Sequence, residues 1–229
     1  MTDVGSVQKL MYVHTGQSRR SFQLQTNIII AGVGGQGVIT AGYLIADTLS
    51  SKGQNVVMSE IHGLAQRGGS VTVELRIGDV YSPIIPQGKV DIVMGFEPIE
   101  AVRAAYRGHK DTYVLINSEK QVPVSLSMKA MEYPSDDFIS RKLLDFKRVV
   151  FLDASSMAIE AGSVRAVNTV MIGAALASSI LPISLEDLEI SLSKRFERKL
   201  LDINKKALQL GIEYARNKLE SNVKIPEYL

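Results

Sequence analysis

A chain of 229 residues with 45% hydrophobic and 22% charged residues suits one α/β domain with additions. Its net charge of +2 leaves no electrostatic footprint for nucleic acid or an anionic membrane, and the absence of tryptophan argues against a base-stacking surface. Cysteine is absent, which excludes disulfides, thiolate zinc sites, cysteine-ligated iron–sulfur clusters and a cysteine nucleophile on this chain.

The three histidines, His14, His62 and His109, are widely spaced and lack metal-ligand periodicity, so no protein-bound transition metal is expected. The first 26 residues lack the continuous apolar core of a signal peptide. The longest apolar run, 166–181, is broken by Asn168, Thr169, Ser178 and Ser179, and is too short and polar for a membrane span. A soluble, cytoplasmic protein is the expectation.

Residues 1–26 mix Gly, Gln, Ser and Thr around Arg19–Arg20 with no sustained period, and read as a loosely held extension or, alternatively, a transit peptide. Residues 27–229 read as a single domain. It opens on Asn27 to Ala41, NIIIAGVGGQGVITA: a buried-strand pattern, a glycine cluster, then a helical run from Val38. Such a turn needs φ values that a Cβ forbids, and the helix start beyond it suits a phosphate or carboxylate. Gly32, Gly34 and Gly37 satisfy G-x-G-x-x-G; a phosphate-bearing cofactor, tight packing and a subunit contact are all compatible with that spacing.

The helix runs to Ser51, Gly53 ends it, and Asn55 to Ser59 returns as a strand parallel to the first. Glu60 to Ser70, EIHGLAQRGGS, is a polar, glycine-rich loop that packing does not explain. In it Glu60 could mimic the ribose-binding acid of dinucleotide folds, and Arg67 beside glycines suits a carboxylate or phosphate. The bland reading pairs Arg67 with an acidic residue and makes His62 a hydrogen-bonded loop histidine. Val71 to Ile77 alternates apolar with Thr72, Glu74 and Arg76, so one face meets something polar. Val80 to Ile85 reads as the second arm of a hairpin, at an edge because of Pro83 and Pro86.

Further strands are expected at Asp91 to Phe96, Thr112 to Ile116 and Val149 to Leu152. A helix over 97–106 follows the first of these, and Ser135 caps another that runs to about Phe146. Between them, 119–135 is an irregular link with a short strand near Met128. Helices are expected over roughly 155–162, 166–181, 184–193 and 196–219. The small residues Gly173, Ala174, Ala175 and Ala177 mark close packing, and Asn168 could reach a site from its helix start. The pattern predicts a three-layer α/β/α sandwich with a mostly parallel sheet, one β-hairpin and a helical C-terminal portion.

These residues carry a resemblance. GVGGQGVITAGYLIADTL followed by EIHGLAQRGGSVTVELRIG is similar to the gamma domain of the 2-oxoacid:ferredoxin oxidoreductases. The variant with His62-Gly63 ahead of Leu64 to Ser70 most resembles the beta subunit of the indolepyruvate ferredoxin oxidoreductase branch. Tyr81 to Ala104 and Glu160 to Ala177 continue the match, which covers roughly 27–193. The resemblance implies a subunit of an enzyme that oxidatively decarboxylates arylpyruvates with coenzyme A, giving acyl-CoA, carbon dioxide and reduced ferredoxin. Thiamine diphosphate, its magnesium and the iron–sulfur clusters are then expected on a larger partner subunit, in line with a chain devoid of cysteine.

No catalytic residue is implied here. Gly34, Gly35, Gln36 and Gly37 of the turn, with His62, Gln66, Arg67, Gly68 and Gly69 of the loop, are expected to face coenzyme A or the partner. The competing readings are an independent NAD(P)-binding enzyme and a subunit that only shapes its partner.

Overall fold

The computed structural model describes residues 8–13, 25–63, 68–122 and 132–221. Among these residues there are seven strands: β1 (Gln8–Val13), β2 (Thr26–Val33), β3 (Val56–His62), β4 (Ser70–Ile77), β5 (Val90–Gly95), β6 (Gly108–Asn117) and β7 (Arg148–Leu152). They form one sheet in the order β1-β3-β4-β2-β5-β6-β7. Five of them, β2, β3, β5, β6 and β7, run the same way, whereas β1 and β4 run against them. The helices are α1 (Val38–Ser51), α2 (Pro98–Ala105), α3 (Asp136–Lys142), α4 (Ala154–Ala161), α5 (Val167–Leu176), α6 (Leu185–Arg195) and α7 (Arg198–Glu220), with a 3-10 turn at Val164–Ala166.

Strand alternation divides the core. Ile28 and Ile30 of β2 join α1, α4, α5, α6 and α7 on one face of the sheet. Ile29 and Ala31 join α2 and α3 on the other. This is the expected three-layer sandwich.

The antiparallel pairing falls elsewhere than predicted. The hairpin arms are β3 and β4, and β4 folds back between β3 and β2, so the two strands joined by α1 are parallel without being neighbours. Residues 80–85 form no strand. Pro83 and Pro86 lack amide protons there, and arginines collect the carbonyls instead. Arg76 donates to the Ser82 and Ile84 oxygens (2.9 and 3.3 Å), and Arg107 to that of Ile85 (2.6 Å). Glu74, buried on the polar face of β4, accepts from the Ile85 amide (2.8 Å) and from Arg107. The polar face read from Thr72, Glu74 and Arg76 therefore abuts this loop. Arg107→Ala would leave the Glu74 carboxylate buried without its cation. Because the guanidinium is partly exposed, a loss of about 2–3 kcal/mol is expected in denaturant unfolding, below the cost for a fully buried pair.

Several boundaries shift for local reasons. Residues 8–13, expected in a loose extension, form β1 and pair antiparallel with β3 from Gln8↔Ile61 to Val13↔Val56. β3 extends through His62, so Glu60 and His62 are strand residues and the loop shortens to its glycine-rich part. α5 stops at Leu176 rather than Leu181: Ser178 Oγ donates to the Ala175 carbonyl (2.7 Å) and accepts from the Ile180 amide, and Ser179 takes a φ of 59°. α3 ends at Lys142, short of Phe146. The strand expected near Met128 lies outside the described residues.

α6 starts as its sequence predicts. Ser184 and Asp187 form a reciprocal capping box, and Lys52 of α1 reaches the same carboxylate (2.7 Å). Lys52, then Ser184, hold the Asp187 carboxyl down at about 2. A folded-state pKa below the unfolded one stabilises above the unfolded value and is lost on acidification. The α1–α6 contact should therefore weaken between about pH 4 and pH 2, and Asp187→Asn should abolish that step in an acid titration at a cost of about 1 kcal/mol.

Candidate functional site

β2, β5, β6 and β7 deliver their carboxyl ends to one edge of the sheet. From β2 the chain leaves through α1 toward β3, and from β5 through α2 toward β6, so the order reverses between β2 and β5. Crevices at such reversals are where open α/β sheets take ligands. The glycine turn stands there.

Gln36 ties the turn down. Its side-chain carbonyl accepts from the Val33 amide (2.8 Å) and its NH2 donates to the Phe96 carbonyl beyond β5 (3.1 Å). A Cβ on Gly32 would lie 2.8 Å from that Gln36 oxygen and 2.9 Å from Phe96, so Gly32 is the space in which the clasp fits. Asn117, buried at the end of β6, donates to the same Phe96 carbonyl (3.3 Å) and accepts from the Ala154 amide (3.0 Å). Two side-chain amides thus lace the strand ends together. Gln36 serves the turn, and not the space outside it.

Gly35 and Gly37 are the outward parts. Gly35 has φ 107° and open space where its Cβ would stand; Gly37, with φ 86°, precedes α1 and has the Asn168 side chain 3.7 Å from its Cβ position. No side chain caps α1 and its first turn holds no acid, whereas Glu97 caps α2 and Asp153 caps α4 at the same edge. Among the described residues, the positive dipole end of α1 is thus left without a side-chain partner.

The two glycine segments predicted as separate parts of one site meet. The Gly34 amide donates to the Gly69 carbonyl (2.8 Å), and the Gly63 amide to that of Ser70 (3.0 Å). Gly68 has φ 72°. Ser70 Oγ donates to Glu100 (2.6 Å), which also accepts from Arg103 (2.6 Å). Glu97 is fully buried; its carboxyl is pushed up by burial and accepts from Tyr133 and from the Glu100 amide (3.0 Å). Gln66 and Arg67 lie outside the described residues.

His62 lies in register with Val71, and Val71 with Gly32, about 10 Å across the sheet from the turn. Its Nε2 is 3.1 Å from Glu60, and the nearby Glu60 carboxylate raises the pKa of the Tyr43 hydroxyl. Glu60 is buried and engaged by His62, so it is not presented as the acid that holds a ribose. That removes the main support for the dinucleotide reading.

Sequence reasoning missed the Ser70–Glu100–Arg103 and Tyr133–Glu97 links, which depend on long-range packing. Asn117 and Asn168 carried a signal, each a lone amide at an element end. The recess at this edge is small, about 140 Å³ beside Pro98, Ser118, Lys120 and Phe151. A larger one, about 450 Å³ between Asn27, Lys89, Asp91 and His109, opens at the opposite edge. Among the described residues the glycine turn lines neither recess.

A Cβ at Gly35 would meet nothing within 4 Å among the described residues, so the stability cost of Gly35→Val is set by backbone strain, on the order of 1–3 kcal/mol. A loss of assembled activity exceeding that unfolding penalty is expected, with calorimetry and steady-state rates compared on the same preparation. Equal losses would reduce Gly35 to a backbone requirement.

The fold is an α/β sandwich whose glycine turn stands at the carboxyl edge of its sheet. The chain belongs to the pyruvate ferredoxin/flavodoxin oxidoreductase family, whose model matches residues 27–214. Over 193 residues it is 40% identical to the indolepyruvate oxidoreductase subunit IorB of Archaeoglobus fulgidus, covering 84% of this chain and 96% of that one. In fold it matches the pyruvate oxidoreductase subunit PORC of Thermotoga maritima (TM-score 0.65, 22% identity, 84% and 97% of the two chains). It likewise matches part of the 2-oxoglutarate:ferredoxin oxidoreductase of Magnetococcus marinus, solved with 2-oxoglutarate, coenzyme A and succinyl-CoA (TM-score 0.62, 19% identity, 90% and 33%).

Proposed function

We propose that this chain is the small, cluster-free subunit of an arylpyruvate:ferredoxin oxidoreductase, with indolepyruvate as the reference substrate. The 2-oxoacid is decarboxylated oxidatively, its acyl group passes to coenzyme A, and the electrons leave on ferredoxin. The observation that carries this reading is the 40% identity to an indolepyruvate oxidoreductase subunit across 96% of that subunit's length.

The chain's residues do not fit an iron–sulfur cluster, since it has no thiolate to offer. Among the described residues no cluster of three His, Asp or Glu could hold a metal ion. In this reading thiamine diphosphate, its magnesium and the clusters sit on a larger partner subunit. The chain then contributes the face built by Gly34, Gly35, Gly37, Gly68 and Gly69, with Gln36 beneath it, His62 two strands away, and Gln66 and Arg67 preceding Gly68 in sequence. The free amide donors at the α1 start and the Arg67 charge suit a phosphate of coenzyme A or a carboxylate of the partner. No helix among the described residues is long and apolar enough to cross a membrane, and the cytoplasm is the compartment where this reaction finds its ferredoxin.

Native, anaerobic purification of the tagged chain tests the reading. A larger subunit carrying iron, acid-labile sulfide and thiamine diphosphate should co-elute with it. Elution of the chain alone, or with a tightly held nicotinamide nucleotide, would overturn the reading.

A further inference from the structure

The corner where α4, the 3-10 turn and the start of α7 meet breaks several local rules at once. Arg198, at the first position of α7, has φ 41°, a left-handed conformation that a branched-off side chain rarely takes. α7 begins without a side-chain cap or an acid in its first turn, and Arg198 and Lys199 occupy that turn against the helix dipole. Lys194 and Arg195 precede them at the end of α6, and Arg165 stands in the 3-10 turn. All five cations are exposed, and none makes an ion pair among the described residues. Glu197 and Asp202 are the acids interspersed in this stretch.

The same corner exposes large apolar side chains. Ile159, Val164 and Leu200 are 63%, 61% and 53% exposed. Their elements form one surface: Ile203 of α7 lies 3.2 Å from the Cβ position of Gly162, and Lys206 donates to the Glu160 carbonyl (2.8 Å). An apolar centre with a cationic rim, kept where backbone and dipole both oppose it, is the composition of a contact surface. The surface is continuous with the glycine turn, because Arg165 leads into α5, whose Asn168 lies over Gly37.

We infer that this corner is a docking surface for the larger subunit, which meets it with an apolar patch ringed by Asp and Glu. The inference rests on the proposed function, and continuity with the glycine turn is what assigns the surface to the subunit covering that turn. Once docked, acidic partner groups neutralise Arg165, Arg195, Arg198 and Lys199 and complete the uncapped start of α7.

The test measures association of the full chain with the purified larger subunit at 50 and 300 mM salt. It uses wild type, the Arg195→Glu/Arg198→Glu double variant and Leu200→Asp, each checked for a native circular-dichroism melt. Arg198→Gly, which relieves the backbone and removes one charge, serves as the second charge variant. The double reversal should weaken association by about 100-fold at low salt and by much less at high salt. Leu200→Asp should weaken it at both, and Arg198→Gly at low salt alone. Wild-type association with unchanged affinity in the variants would overturn this inference and leave the proposed function standing. Failure of wild type to associate would overturn both. Variants that lose only retention on immobilised heparin would assign the corner to a nucleic acid and overturn the inference.

Discussion

Gly211→Ala is expected to lower stability by about 3 kcal/mol, the upper end of overpacking costs, although it adds only one methyl group. The added Cβ would stand 2.1 Å from the Val170 carbonyl oxygen and 3.0 Å from the Ala174 amide nitrogen. From the other side, a Cβ on Gly173 would stand 2.2 Å from the Leu208 carbonyl oxygen. α5 and α7 thus cross backbone against backbone, each glycine receiving the other helix. The obstacles are main-chain atoms, so no rotamer change relieves the clash and the helices must separate. Both belong to the larger core cluster, where Val170, Ala174, Ala207 and Leu208 are fully buried, so separation opens that core. The melting temperature should fall by roughly 6–12 °C. Gly53→Ala is the contrast: its Cβ meets open space, and a φ of 74° costs roughly 1–2 kcal/mol. Equal melting temperatures for Gly211→Ala and wild type would contradict the crossing.

Arg67→Ala should leave the isolated fold intact and act on assembly. Its segment is bounded by Gly63 and by Gly68–Gly69, and Gly69 is tied to Gly34 of the turn (2.8 Å). Arg67 immediately precedes Gly68 in sequence, next to the glycine that ties the loop to the turn. Where it meets a desolvated carboxylate or phosphate, its removal should cost about 2–5 kcal/mol in association or in coenzyme A use. Titration of the larger subunit, and the coenzyme A dependence of the rate, separate the two. A loss near 0–1 kcal/mol in both would place Arg67 in a solvent-exposed pair.

The strands and helices that build the three layers were legible because their periods are strong. α1 runs Val38–Ser51, the span its sequence predicts, and the apolar runs at 27–30, 91–96 and 149–152 all became strands of one sheet. The hairpin was misplaced because Val80 and Ile85 look like an alternating arm. Whether such a segment pairs depends on its amide donors, which two prolines remove, and on Arg76 and Arg107 arriving from elsewhere. β1 was invisible for a different reason: an edge strand needs little apolar pattern when one neighbour supplies its hydrogen bonds. At the site, glycine spacing revealed the turn and the loop as special. It did not show that Gln36 folds inward, since a glutamine beside glycines looks the same whether it serves backbone or ligand. Nor did it show that Glu60 is buried and taken up by His62. Those roles are set by burial and by hydrogen-bond partners.

This chain should be inert alone and become part of an enzyme only in complex. The most direct test is indolepyruvate- and coenzyme A-dependent reduction of a viologen dye under anaerobic conditions, with this chain alone, the larger subunit alone, and the two mixed. Turnover is expected in the mixture only. Turnover by this chain alone, or full activity of the larger subunit without it, would contradict a role in complex.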